Sequence, residues 1–140
     1  MNTMTKSNKL PPHDSNGFYL PNGEPHSRGY YGLPTPPLEK QVETALAYLS
    51  QLKPTKQPTF SSYHLKHCAE HWGKRHGMEP YVSNGALIEA AIRLGLVIKP
   101  DNINAGIGVS KHDVEASKRQ NGRPPSITRD CRLVCNRAAR

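Results

Sequence analysis

The chain has 140 residues, a net charge of +8 and a pI of about 9.6. That length builds one modest domain, and no apolar run in it approaches the span of a membrane. Three cysteines, Cys68, Cys131 and Cys135, are too few for a disulfide framework and fit the reduced thiols of a soluble cytoplasmic protein.

The N-terminus lacks the apolar centre of a secretion signal. Thirteen Pro and eleven Gly exceed average usage and predict unstructured ends, which leaves about 75 to 80 residues for a core. The charge is uneven. Residues 1–37 carry three Lys/Arg against two Asp/Glu, residues 38–115 nine against eight, and residues 116–140 seven against one. A basic chain points to an anionic partner, most often nucleic acid, yet here the excess sits in a tail and the candidate folded part is nearly neutral.

Residues 1–34 read as an extended arm, with breakers at Pro11-Pro12, Asn16-Gly17, Pro21-Asn22-Gly23 and Arg28-Gly29. Phe18, Tyr19, Tyr30 and Tyr31 give this arm something to dock with, on the chain's own domain or on a partner. A first helix opens at Thr35-Pro36-Pro37, with Thr35 as cap, and closes at Lys53-Pro54. Leu38, Val42, Ala45, Leu46, Leu49 and Leu52 form its apolar stripe. That seam also allows a helix-mediated contact, though two heptads are too few for a coiled coil.

A connection with two prolines follows, with a short extended piece around Thr59-Phe60. Ser61 or Ser62 caps a second helix that buries Leu65, Cys68, Ala69 and Trp72 and stops at Gly73 or Gly77. Ser83 caps a third helix over Asn84–Leu94, which buries Leu87, Ile88, Ala91 and Leu94 and ends at Gly95. Glu89 and Arg93 pair on its outer side, beside Ala86 and Ala90.

After Gly95 the chain turns to strand through Leu96-Val97-Ile98-Lys99. Pro100-Asp101-Asn102 reads as the turn, and Ile103, Ala105, Ile107 and Val109 alternate with small or polar residues. Ser110 and Asp113 signal a short last helix to about Arg119, and a mobile basic tail fills residues 120–140. The expectation is α+β: a three-helix domain over residues 35–119 ending in a two-stranded hairpin, in the manner of a winged helix-turn-helix.

In such a fold the third helix meets the DNA major groove with its first residues. Ser83 and Asn84 stand there, and an asparagine amide can bond an adenine edge in two places. Arg93 would reach phosphate, and Lys99, Asn102 and Asn104 in the hairpin suit the backbone or minor groove. Lys74 and Arg75 form a basic knot at the end of the second helix, and Lys118, Arg119 and Arg123 add salt-dependent affinity. Histidine's ordinary pKa near neutrality makes His64, His67, His71 and His76 a further source of positive charge.

His64, His67, Cys68 and His71 also have the i,i+4 spacing that lets side chains share a metal, with Cys131 and Cys135 as further ligands. The competing reading is polar histidines flanking a buried cysteine, and no metal or other cofactor is expected. Gly106-Ile107-Gly108 is no phosphate loop, and no nucleophile elbow or carboxylate pair is present. The sequence therefore points to a non-catalytic DNA-binding or DNA-associated accessory or regulatory protein. The rival is a protein-interaction adaptor or inhibitor that works through the tyrosine arm or the first helix, without nucleic acid.

Overall fold

Polar caps and a few glycines set the ends of the elements, and apolar stripes set what they bury. The computed structural model describes residues 10–25 and 35–122. In chain order these hold β1 (His13–Asp14), β2 (Gly17–Phe18), α1 (Glu39–Leu49), β3 (Phe60–Ser61), α2 (Ser62–Arg75), α3 (Asn84–Leu94), β4 (Ile98–Asp101), β5 (Asn104–Ile107) and α4 (Lys111–Gly122). The described residues form an α+β fold with four helices and two small antiparallel sheets. The three helices expected from the apolar stripes are joined by α4, which starts where Ser110 predicts and runs on to Gly122.

Ser61 caps α2 by accepting from the His64 N–H at 3.1 Å, and Ser83 caps α3 by accepting from the Ala86 N–H at 3.1 Å. Gly73 lies inside α2; the helix ends after Arg75, and the Met78 N–H returns to the Gly73 carbonyl at 2.9 Å. Gly95 closes α3 in the left-handed conformation at φ 73°, which swings the chain from helix into strand. At the start of α4 the Ser110 hydroxyl caps the Asp113 N–H at 3.1 Å. Asp113 does not complete the reciprocal box, because its carboxylate accepts from the Lys53 N–H at 2.8 Å.

α1 begins later than Thr35-Pro36-Pro37 predicts. Its N-cap is Leu38, with no side-chain cap, and Thr35 instead offers its carbonyl to the Ser15 N–H at 2.7 Å. Leu38 precedes the first helical residue and so falls off the apolar stripe; it is 58% exposed. The rest of the stripe holds: Val42, Ala45 and Leu49 are buried with Tyr48, against Leu65, Ala69 and Trp72 of α2 and Leu87, Ile88 and Ala91 of α3. The Tyr48 hydroxyl meets Ser117 Oγ at 2.7 Å, which ties α1 to α4, and burial pushes the phenol pKa far up. Two polar residues share this face: Gln41 Oε1 accepts from the Ser83 N–H at 3.0 Å, and the Thr44 hydroxyl donates to the Glu79 carbonyl at 3.1 Å.

The hairpin is anchored by a third strand, in the order β3-β5-β4. Its turn is Asn102-Ile103, one step beyond the expected Pro100-Asp101-Asn102, because Asp101 pairs with Asn104 and Pro100 with Ala105. Proline is tolerated there because β4 is an edge strand with no neighbour to receive its missing N–H. Asn102 takes the left-handed φ of 57° that lets two residues close the turn. Ala105, Ile107 and Val109 are buried as the alternation predicts, whereas Ile103, in the turn, is only partly buried and Gly108 is buried as well.

Of the predicted arm, residues 10–25 fold back onto the helices. The β1–β2 hairpin places Phe18 wholly in the core, a burial worth roughly 1.5–3 kcal/mol. The Phe18 N–H donates to the Ile103 carbonyl at 2.9 Å and the Gly85 N–H to the Ser15 carbonyl at 3.0 Å. A Cβ at Gly85 would stand 1.8 Å from the Asp14 carbonyl oxygen, so this contact requires glycine. Among the described residues no helix is long and apolar enough to cross a membrane.

Gly85→Ala is expected to force the arm off α3, or to shift both backbones, with a loss of about 1–3 kcal/mol. Chemical denaturation reads that loss, and faster proteolysis of residues 10–25 in the variant identifies the arm as the part released.

Candidate nucleic-acid interface

The first turn of α3, where base contacts are expected, faces inward. Asn84 is 8% exposed. Its Nδ2 donates to the Asn16 carbonyl at 2.9 Å, Asn104 Oδ1 at 3.0 Å and the Ile103 carbonyl at 3.3 Å, and its Oδ1 accepts from Ser62 Oγ at 2.7 Å. Both amide hydrogens are thus committed inside the fold. The Ser83 hydroxyl is spent on the cap, and Ala86 and Ala90, expected on the outer side, are fully buried. Arg93 does lie outside, but its guanidinium forks onto Glu39 at 2.9 and 3.0 Å and places Nε 2.9 Å from Glu89. These carboxylates raise the Arg93 pKa, and Arg93 in turn lowers that of Glu39. As placed here, Ser83, Asn84 and Arg93 bind the protein to itself.

The remaining candidate contacts divide into two groups. Lys99 and Asn102 are exposed on the hairpin, with Asn104 partly buried beside Asn84. Lys74 and Arg75 are exposed at the end of α2, and Arg119 is exposed on α4, which packs against α2. Lys118, in loose contact with Glu115 at 3.4 Å, lies close enough to His64 near the start of α2 to influence its titration. Tyr63, His67, His71 and Lys74 recur along the outward side of α2 at helical spacing, all exposed. Glu70, the one acidic residue in α2, is engaged by Lys66 at 3.1 Å, His67 at 3.2 Å and the Val82 N–H at 3.1 Å. Arg123 lies outside the described residues.

The histidine–cysteine group is dispersed by the same helix. His64 stacks on Phe60 with ring centroids 5.1 Å apart, His67 turns to Glu70 and Tyr63, and His71 is exposed. Cys68 is buried, which raises its thiol pKa and keeps it from being a ready thiolate ligand. Among the described residues no three His, Cys, Asp or Glu side chains converge as a metal would require. Cys131 and Cys135 lie outside them.

Sequence reading missed a cleft of about 450 Å³ beside the α3 N-terminus, lined by Ser15, Asn16, Tyr63, Lys66, Tyr81, Asn84, Ile103 and Asn104. Lys66 is 6% exposed, and its ammonium lies 5.6 Å from the Tyr63 ring and 5.0 Å from the Tyr81 ring. The two rings are themselves about half exposed. Tyr63 and Lys66 are one helical turn apart and could have been paired from sequence. Tyr81 and Asn16 reach the cleft only through tertiary packing.

Asn84→Asp is expected to destabilise the fold by about 1–3 kcal/mol or more, since a carboxylate there faces three acceptors; urea unfolding measures it. Burial, reinforced by Lys118, holds the His64 pKa below 6.5. The unfolded chain therefore takes up that proton first, and the contribution present above about pH 6.5 is lost as the pH falls below it. Unfolding measured at about pH 7.5 and 5.5 should show a smaller loss in His64→Gln than in the wild type. No protein-family model, curated protein or solved structure matches the chain.

Proposed function

We propose that the protein binds DNA without catalysing a reaction, and that it does so with α2 and α4 rather than with the tip of α3. The observation that carries this is the outward side of α2. His67, His71, Lys74 and Arg75 are exposed there, its one acid, Glu70, is shared among Lys66, the Val82 N–H and His67, and Lys118 and Arg119 lie on the helix packed against it. The helix order and the anchoring of the hairpin by β3 support a winged-helix-like reading of the domain, with β4–β5 as the wing and Lys99 and Asn102 as its contacts. Arginines beyond residue 122 would extend the phosphate-binding surface.

The rival, a protein-interaction module, would work through the partly buried Tyr19 and the exposed Leu38, Leu94 and Val97. The apolar side of α1 is taken up by the core, and Phe18 of the arm is buried in the same core. Tyr30 and Tyr31 lie outside the described residues.

Fluorescence anisotropy with a duplex at about 50 and 200 mM salt tests the proposal. The wild type should bind and lose affinity steeply at the higher salt. Replacing Lys74, Arg75, Lys118 and Arg119 together by Gln should weaken binding by at least ~10-fold and flatten the log–log salt slope by roughly one unit per phosphate contact removed. No binding to any duplex defeats the reading. So does an unchanged salt slope in the variant.

A further inference from the structure

The cleft between the arm turn, the start of α2, Tyr81 and the β4–β5 turn has a composition that selects its ligand. Its volume of about 450 Å³ lies in the range of roughly 300–1,000 Å³ that suits small organic groups. It is a poor site for an isolated anion. The Lys66 ammonium already has the Glu70 carboxylate at 3.1 Å and two tyrosine rings around it, so a phosphate would compete with a charge in place. What the cleft offers is uncharged: two half-exposed aromatic rings, the Ser15 hydroxyl, and the side-chain amides of Asn16 and Asn104. Asn104 Oδ1 is taken up by Asn84, which leaves its amide nitrogen as the donor for a ligand.

Aromatic faces beside amides are the means by which proteins hold an unstacked base and bond its edges. We infer that this cleft takes one unpaired nucleobase of a nucleic-acid strand, an inference that rests on the nucleic-acid function proposed above. Continuity supplies the second argument. Tyr63 touches His67 edge-on with centroids 4.7 Å apart, and His71 and Lys74 follow on the same side of α2. This gives a track of roughly 16 Å at the helical rise, with the cleft at one end and the basic knot at the other. The backbone follows His67 and His71 to Lys74 and Arg75, and the base enters the cleft against the tyrosine surfaces that Lys66 leaves open.

Anisotropy with a labelled strand of about 20 nucleotides and with its matched duplex tests this. Tyr63→Ala and Tyr81→Ala should each weaken single-strand binding by ~10-fold or more and leave duplex binding within about twofold. Tyr63→Phe and Tyr81→Phe, which keep the rings, should keep the affinity. Because a substituted cleft could also unfold, the unaltered protein is irradiated with a strand carrying 5-iodouracil, and the crosslink should map to Tyr63 or Tyr81. Equal losses on strand and duplex, no loss, or crosslinks only elsewhere overturn the base site and leave the duplex reading standing. Failure of the wild type to bind either nucleic acid overturns both.

Discussion

One buried amide decides how the rest of this molecule is arranged. Asn84 joins the arm at Asn16, α2 at Ser62 and the β4–β5 turn at Ile103 and Asn104, and Ser62 Oγ passes the network on by accepting from the Ala105 N–H at 3.1 Å. A buried polar group left without partners costs about 1–3 kcal/mol, so these segments hold their positions as a set. The hairpin could not lean elsewhere without orphaning the amide. The floor of the tyrosine cleft is fixed by the same bonds.

This arrangement explains why the helix with an open side is not the one that helix order would nominate. α3 is enclosed by α1, by the sheet and by the arm hairpin, and its polar first turn serves as a junction. α2 is longer and stays open along one side. Its terminal cations, Lys74 and Arg75, therefore have a surface to act through, beside Arg119 on α4.

The parts legible in sequence were those written at short range. The apolar stripe of α2, that of α3 apart from Leu94, which is exposed at the last turn, the caps at Ser61 and Ser83, the glycine stop at Gly95 and the alternation through Ile107 each depend on neighbours within a few residues. Contacts across the whole chain left no such trace. Gly17 and Gly85 look like ordinary turn and helix-start glycines, yet each is required where backbone passes over backbone. Asn84 read as an exposed reader of bases because nothing near it in sequence announces Asn16 or Asn104. Leu38 fits the α1 stripe only for a helix that starts at Thr35, and the alternation along β5 carries no sign that Pro100 pairs as an edge residue.

The clasp between the first hairpin and the last one has a bearing on how the chain is made. Phe18 and Ile103 are joined directly although roughly 85 residues separate them, so at synthesis rates of about 5–20 residues per second the N-terminal segment waits some 4–17 s before its mate leaves the ribosome. Through that interval its phenylalanine stays outside the core that will later hold it, and the domain cannot acquire its final packing from the front end alone.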